Sequence, residues 1–419
     1  MTFRGLDHLV ERHGTADKSY FDGTHRCRHP VETLERWRPE MARFGITRIA
    51  DVTDLDVIGV PVHQAIRPNG RSLSTSQGKG ATSAAAAVSA LMEAAELWHA
   101  EHHRLPLRRA SIDELEREGV ATADLGRVPR RADTQLDRHR PLLWVPGVDL
   151  VSGEPTMVPE LLVSMDHTPP RDPLTDHFAV SSNGLASGNH ILEAIAHALF
   201  EVIERDAWAI EVDRRQRCGD HVAIDPETVD DPTVRDLLAA ACAADVGIEL
   251  VDITSDLGMP CFSATVYEDD DAPLRRVPPS SGAGCHTDRG VAACRAISEA
   301  MQTRLTVIAG SRDDITEELH TVRRVSTAAG QFQRQLRRRP RTGSFLQAPT
   351  HETRSAADDV SLALESLVTA GMSQVVVVDL AMPDIGLPVV RVIAPGLEDT
   401  DGHGTIDRIH RLTERQQAS

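Results

Sequence analysis

Three stretches of the sequence place apolar residues at intervals of three and four, which is the spacing of a buried helix face. The predicted helices cover residues 84–103, 190–213 and 288–310. In the second of them the apolar side includes Ile191, Leu199 and Ile203. Each helix follows a run rich in glycine, serine and threonine, which is typical of a loop. The predicted loops are residues 69–80, 180–188 and 280–284.

Shorter stretches with alternating or continuous apolar residues predict strands. These are two strands within 46–68 joined by a Thr-Asp-Leu-Asp turn, pairs at 142–149 with 156–162 and at 247–253 with 259–267, and closing strands at 375–380 and 387–395. Additional short helices are predicted at 30–38, 111–118, 231–243 and 356–370. Residues 1–29 are predicted to form an irregular arm, and residues 334–354 to be disordered. Helices and strands are interspersed along the chain, which predicts a mixed α/β fold.

Composition and charge exclude several classes of protein. The 419 residues are 41% hydrophobic and 26% charged, which is typical of a globular protein of two or three domains. No apolar run approaches the roughly 20 residues needed to span a bilayer, and the N-terminal residues lack the apolar core of a signal peptide, so a cytoplasmic protein is expected. The net charge of −18 argues against nucleic acid and membrane surfaces as partners. None of the six cysteines forms a Cys-x-x-Cys pair, so a zinc ribbon is not indicated.

Each of the three long helices carries a stripe of polar residues on one side. The stripes are Ser89, Glu93 and Glu96; then Asn189, Glu193, His197, Glu201 and Glu204 with Arg205 beside them; then Arg295, Glu299 and Gln302. Glutamates three and four residues apart repel each other, and for a single helix the simplest interpretation is a solvated acidic face. Three such stripes, each behind a glycine-rich loop, favour a different interpretation, because such loops bind phosphate and carboxylates bind Mg²⁺. The sequence therefore predicts a nucleotide–Mg²⁺ site.

The known phosphate-binding motifs do not match these loops. Gly70 and Gly78 are too far apart for a Walker A loop, and Lys79 is followed by Gly80 where that motif requires serine or threonine. No Gly-x-Gly-x-x-Gly follows a predicted strand and opens a helix, so neither a P-loop nor a Rossmann site is expected. Lys79 is itself notable, because it is one of two lysines among 45 basic residues, and an ammonium group acts as a point charge where a guanidinium does not.

Four segments in order resemble the YcaO family. They are SQGKGATSAAAAVSALMEAAE (76–96), SNGLASGNHILEAIAHALFEVIERDA (182–207), HTDRGVAACRAISEAMQTRL (286–305) and LPVVRVIAPGLED (387–399). The resemblance spans roughly residues 26–399, and the early segment 32–62 resembles the branch of the family that is encoded beside a TfuA protein. It implies the YcaO-type ATP-binding fold, with a YcaO domain at 46–400 that contains an α/β subdomain at about 214–275. An N-terminal arm and helix (1–45) would precede it, and a polar tail (401–419) would follow.

The resemblance also implies the cofactors and the residues that hold them. ATP and Mg²⁺ would lie among glutamates of several helices, with Glu93, Glu96, Glu201, Glu204 and Glu299 as the metal ligands. The matching ATP contacts are Arg26, Thr33, Lys79, Ser89, Asn189, Glu193, Arg205 and Arg295. Glu93, Glu204, Arg205 and Glu299 would be the catalytic residues among them.

For the reaction, the resemblance implies ATP-dependent activation of a peptide backbone amide by O-phosphorylation. External sulfide, delivered by a TfuA-like partner, would then give a thioamide, whereas a neighbouring Cys, Ser or Thr side chain would give an azoline. Azole-forming members often end in a proline-rich tail, and this sequence ends in TERQQAS, which favours thioamide formation. The alternatives are an azoline-forming cyclodehydratase of a ribosomally synthesised peptide and a non-catalytic ATP-binding accessory factor of the ribosomal protein S12 methylthiotransferase type. The peptide or protein substrate stays open, as does the oligomeric state, with a homodimer as one alternative.

Overall fold

The computed structural model describes residues 1–130, 135–169, 178, 181–218, 222–268, 277–315, 327–399 and 408. The helices are α1 (Arg4–His13), α2 (Pro30–Trp37), α3 (Ser83–Glu101), α4 (Ile112–Arg117), α5 (Ile191–Cys218), α6 (Pro232–Ala243), α7 (Arg289–Ala309), α8 (Thr327–Arg338) and α9 (Ala356–Thr369). The first strands are β1 (Ser19–Phe21), β2 (Thr24–Arg26), β3 (Arg48–Asp51), β4 (Val62–Ile66), β5 (Thr75–Lys79), β6 (Arg108–Ala110), β7 (Leu142–Asp149) and β8 (Pro155–Pro159). The remaining strands are β9 (Leu185–Ser187), β10 (Ala223–Ile224), β11 (Val246–Asp252), β12 (Cys261–Glu268), β13 (Ser280–Cys285), β14 (Arg341–Gly343), β15 (Val376–Asp379) and β16 (Val389–Ile393).

The strands form three main antiparallel sheets. The sheets are β3-β4-β5, β11-β12-β13, and β6-β7-β15-β16-β9 with β8 beside β7. Helix α3 packs on β4 and β5, and α7 packs on β12 and β13. Helix α5 contacts β9 and β16 of one sheet and β13 of another, so it lies between these two sheets. The mixed fold, without a P-loop or Rossmann arrangement, is as expected.

The three long helices that the sequence predicts are confirmed, and local hydrogen bonds define where they begin. The Thr82 hydroxyl caps α3 by accepting from the Ala85 amide at 3.2 Å. The Asp288 carboxylate caps α7 in the same way, accepting from the Val291 amide at 3.0 Å. These caps satisfy amides that the first turn of a helix leaves without a partner. In the described part of the chain, no helix is both long and apolar enough to cross a membrane.

Two of the predicted loops, 69–80 and 180–188, contain strands near their ends, and the third, 280–284, lies entirely within β13 and was wrong. A Cβ atom on Gly78 of β5 would lie 2.0 Å from the Ala90 nitrogen, and one on Gly284 of β13 would lie 2.1 Å from the Ala292 oxygen. These glycines therefore allow a strand backbone to touch a helix backbone. The glycines suggested turns because turns and close backbone packing both require glycine.

Replacing Gly78 by alanine is expected to destabilise the chain by about 3 kcal/mol or more, since the added methyl group meets rigid helix backbone. Gly126→Ala is the matched control, because the nearest atom there is a side-chain oxygen of Asp124 at 3.3 Å. Urea unfolding followed by circular dichroism measures both changes. Equal urea midpoints for Gly78→Ala and Gly126→Ala would show that β5 and α3 can move apart at a small cost in free energy.

The prediction of an irregular arm over residues 1–29 was also wrong. Helix α1 buries Phe3 and Leu6, and β1 and β2 form a hairpin. Between them, the Ala16 carbonyl accepts from the Ala356 amide at 2.8 Å, and the Lys18 ammonium contacts the buried Asp359 carboxylate at 2.7 Å. These partners lie over 300 residues away in sequence, so no local pattern predicts this order.

Two predictions concern the second half of the chain. Residues 334–354, predicted to be disordered, contain the end of α8, strand β14 and the fully buried Phe345, so that prediction was wrong. The polar tail at 401–419 lies outside the described residues, except for Arg408. The Arg408 guanidinium is buried and bonds to Asp206 at 2.9 Å and to Asp256 at 2.6 Å.

Candidate nucleotide and metal site

The five glutamates predicted as metal ligands come together from α3, α5 and α7. Each repels its neighbours in the set: Glu96 is repelled by Glu93 and Glu201, Glu201 by Glu204, Glu204 by Glu299, and Glu93 by Glu299. These interactions close into a ring, which we call the carboxylate ring. The three polar stripes of the sequence therefore face one another, and their glutamates are partly or fully buried.

Negative charge is unfavourable in the carboxylate ring. Burial raises the pKa of Glu93 and Glu201 to about 7 and that of Glu96 to about 8. Burial also raises the pKa of Glu204, and the charge of Glu299 adds to the effect. Each raised pKa means that the ionised form lacks part of its stabilisation from water and neighbours, so the ring favours a bound cation.

Three cationic side chains lie beside the carboxylate ring. Burial alone would raise the pKa of Glu299, but Lys79, which forms an ion pair with it, and Arg205 bring that pKa below its ordinary value. Burial disfavours the Arg205 charge as well, but Glu204, Glu299 and Glu201 outweigh burial and raise the pKa of Arg205. Arg295 contributes in the same place, and its Nε is buried with no hydrogen-bond partner among the described residues.

The strands beneath the helices orient the glutamates. The Gln77 amide of β5 donates to Glu93 at 3.3 Å, and the Cys285 amide of β13 donates to Glu204 at 3.2 Å. The Ser187 amide and hydroxyl of β9 donate to Glu96 at 2.8 and 2.6 Å. The segments that the sequence assigned to loops therefore hold the carboxylates in place.

The N-terminal segment meets the first turns of α5 beside the ring. The Cys27 amide donates to Glu193 at 2.7 Å, and the Thr33 hydroxyl donates to the Asn189 side chain at 3.0 Å. Arg26 lies close to Glu193, Arg295 and Glu96, and burial lowers its pKa. The structure thus brings Arg26, Thr33, Asn189 and Glu193 together. Ser89 lies one turn before Glu93 on α3 and is partly exposed.

Sequence reasoning missed several residues that lie in the site or border it. Arg312, in the turn after α7, is the strongest positive neighbour of Glu93, and Arg391 of β16 is a positive neighbour of Glu201. Gln77 and Ser187 lie inside the resembling segments but were not chosen. Gln77 acts through its backbone amide, and Ser187 acts through its amide and its hydroxyl. Arg391 also lies in such a segment, whereas no motif marks Arg312.

The donor set fits Mg²⁺ together with phosphates. Within the described ranges, no three His, Cys, Asp or Glu side chains lie close enough together to hold a metal ion by themselves. Mg²⁺ does not require such a cage, because it commonly binds one or two carboxylates and takes its other ligands from water and phosphate oxygens. The carboxylate oxygens are hard ligands that suit Mg²⁺. The phosphates bound to that metal would be matched by Lys79, Arg205 and the unpartnered Nε of Arg295.

The raised pKa values predict that stability in EDTA falls as the pH rises. An unfolded glutamate titrates near about 4.3, so between that pH and about 7 to 8 the folded ring binds more protons than the unfolded chain. The resulting stabilisation is complete below the unfolded pKa and is lost as the pH rises through 7 to 8. Thermal unfolding midpoints should decrease over this range, and less steeply for Glu96→Gln. If the midpoints of the wild-type chain and of Glu96→Gln fall with pH at the same rate, the burial of Glu96 is contradicted.

Comparison with known proteins identifies one family. The sequence model of the YcaO family, described as YcaO cyclodehydratase, ATP- and Mg²⁺-binding, matches residues 77–398. A protein of the tfuA 3′ region in Rhizobium leguminosarum bv. trifolii is 37% identical over 392 residues, which cover 93% of this chain and 91% of the relative.

Two solved structures share the fold. YcaO from Methanopyrus kandleri, bound with AMPPCP and Mg²⁺, aligns with a TM-score of 0.73 at 24% identity over 93% of this chain and 98% of that chain. A heterocyclase in complex with substrate and cofactor aligns with a TM-score of 0.75 at 22% identity over 93% of this chain. This chain spans only 55% of the length of that heterocyclase.

Proposed function

Since the chain belongs to the YcaO family of ATP- and Mg²⁺-dependent peptide-modifying enzymes, we propose that it activates a peptide backbone amide for exchange of the amide oxygen against sulfur. The observation that carries the proposal is the carboxylate ring, in which three helices bring five glutamates together beside several cations. A binding protein without turnover has little need for so many carboxylates whose ionised forms are destabilised.

The residues divide into three groups by their positions. Glu93, Glu96, Glu201, Glu204 and Glu299 hold Mg²⁺, which neutralises phosphate charge when it is bound. Arg26, Thr33, Asn189 and Glu193, next to the start of α5, bind ATP together with Ser89 of α3. Lys79, Arg205 and Arg295 lie beside the ring and stabilise the charge of the transferring phosphoryl group.

In the proposed reaction, ATP and sulfide are substrates together with the peptide. The amide oxygen forms a bond to the terminal phosphorus of ATP, and ADP departs. Sulfide then adds to the activated carbon, a proton is lost, and the carbon–oxygen bond breaks as phosphate leaves with the former amide oxygen. The chain contributes orientation and charge stabilisation, and the transfer requires no nucleophilic side chain.

A TfuA-like partner is proposed as the source of sulfide. The support is the 37% identity over almost the whole chain to a protein of the tfuA 3′ region. Cyclodehydration of a ribosomally synthesised peptide is the second candidate, because the family description names a cyclodehydratase and a heterocyclase shares the fold.

Intact peptide masses from cells distinguish these candidates. Cells with the wild-type chain and its neighbouring genes are compared with cells that carry Glu204→Gln. Exchange of one oxygen for sulfur, present only with the wild-type chain, supports thioamide formation. Loss of one water identifies azoline formation, and identical masses leave an accessory role.

Mg²⁺ and ATP together are expected to stabilise the fold. The glutamates of the carboxylate ring repel one another and would gain Mg²⁺ as a partner, and the cations beside the ring would gain the phosphates of ATP. ATP with Mg²⁺ at one hundred times its dissociation constant should add about 2.7 kcal/mol to the free energy of unfolding. Thermal unfolding with ATP–Mg²⁺ is compared with ATP–EDTA. Equal midpoints at saturating nucleotide would contradict the site.

A further inference from the structure

A buried arginine on the six-stranded sheet lies close to Glu201 of the carboxylate ring. Arg391 lies in the middle of β16, between β15 and β9, and its side chain is 5% exposed. Its Nη2 donates to the Ser181 carbonyl at 2.6 Å. Glu201 and Asp399 are its negative neighbours, so the guanidinium lies beside the ring without being part of it.

The Arg391 guanidinium has unused hydrogen-bonding capacity. Its Nε and Nη1 are buried and have no partner among the described residues. The side-chain oxygen of Asn183 is also buried and unpartnered within those residues. Buried polar groups normally find partners, because an unmet donor or acceptor costs about 1–3 kcal/mol. The same small region thus offers two donors and one acceptor.

The segment that carries Asn183 is fixed against β16. The Val392 amide of β16 donates to the Gly184 carbonyl at 2.8 Å, and Gly184 has a φ of +80°. A Cβ atom there would lie 2.4 Å from the Val392 oxygen, so the position requires glycine. The Asn183 amide group donates to Asp399 at 3.4 Å, which leaves its oxygen as the free acceptor. Strand β16 therefore carries Arg391 and also holds the segment of Asn183 in place.

The charges around Arg391 favour a neutral ligand over an anion. One guanidinium faces the two carboxylates of Glu201 and Asp399, so the region has no excess of positive charge. A neutral group with one acceptor and one donor matches the unpartnered atoms, and the secondary amide of a peptide backbone is such a group.

We propose that Arg391 and Asn183 form a subsite for the peptide backbone next to the amide that reacts. Arg391 donates to a backbone carbonyl, Asn183 accepts from a backbone N–H, and Asp399 positions the Asn183 side chain. The reacting carbonyl itself stays free to face the carboxylate ring. The subsite recognises backbone and not side chains, and it rests on the proposed function in requiring a peptide as the substrate.

The probe for this subsite is N-acetylglycine N-methylamide, which has two secondary amides and no charge or side chain. It is titrated into the full chain with Mg²⁺ and AMPPCP, and ¹H–¹⁵N spectra follow the arginine Nε and asparagine side-chain signals. We expect the Arg391 and Asn183 signals to shift. Affinity should fall about tenfold in Arg391→Lys and in Asn183→Ala, as expected for buried hydrogen bonds. The fully N-methylated analogue, which has no N–H group, should bind more weakly to the wild-type chain.

Arg43→Lys is the matched control, because that arginine is exposed and pairs with Asp384 at the surface. Stabilisation by ATP–Mg²⁺ should persist in all variants, which shows that they fold and bind nucleotide. Equal probe affinity in the wild-type chain, Arg391→Lys and Asn183→Ala overturns the subsite. If those variants modify peptides at the wild-type level in cells, the subsite is wrong and the proposed function stands. If the probe binds as expected and no modified peptide forms with the wild-type chain, the subsite stands and the proposed function is wrong.

Discussion

Glu204→Gln is expected to lower ATP turnover by at least about a hundredfold, the effect of removing one charge-stabilising group from a preorganised site. The Glu204 side chain is 2% exposed, accepts from the Cys285 amide and lies between Glu201 and Glu299. Glutamine keeps the size of the side chain and removes the charge that Mg²⁺ needs. Glu93→Gln, on another helix, should have an effect of the same order.

Folding should survive these substitutions, because a neutral amide relieves repulsion within the carboxylate ring. Phosphate release and thermal unfolding are measured on the same preparations. Glu118→Gln is the control, since this exposed glutamate pairs with Arg108 far from the ring. If Glu204→Gln and Glu93→Gln both keep wild-type turnover, the stripes are solvated faces and carry no chemistry.

Complete transfer of an oxygen label is the second expected result. When the unmodified substrate peptide is supplied with ¹⁸O at the reacting backbone amide, the phosphate that is released should carry that ¹⁸O atom. The reason is that the amide oxygen bonds to phosphorus before the carbon–oxygen bond breaks. Mass spectrometry of the phosphate measures the label, and ADP should form in equal amount to the modified peptide.

The control for the label is the same reaction with unlabelled peptide in H₂¹⁸O. Unlabelled phosphate formed together with modified peptide in the first experiment would mean that water attacks ATP. Direct phosphorylation of the amide would then be wrong, whatever the product of the enzyme.

The helices of the site could be predicted because their signals are local. The stripes of Glu93 and Glu96, of Glu201 and Glu204, and of Glu299 follow helical spacing, and their convergence follows from like charges that need a shared cation. The partners that fix these glutamates could not be predicted. Gln77 and Cys285 act through backbone amides, which any residue except proline supplies equally well, so their identity carries almost no signal.

Errors arose where a residue type serves two purposes or where its partner is distant. Gly78 and Gly284 allow close packing, and a single sequence does not separate this use of glycine from a turn. The order of the first 29 residues depends on contacts such as that of Lys18 with Asp359, and composition says nothing of contacts over such separations. Arg391 was missed because a single arginine within a strand pattern does not indicate which sheet face it occupies.

The pairing of residues 15–18 with residues 354–357 has a consequence for synthesis on the ribosome. The chain grows from its N-terminus, so the segment that carries Arg26 and Thr33 emerges first, and the start of α9 that anchors it emerges more than 300 residues later. Contacts of such long range form late and slowly. The wall of the site next to Glu193 therefore closes only when nearly the whole chain has left the exit tunnel, and nascent chains that stop before α9 should gain no protection from ATP against proteolysis.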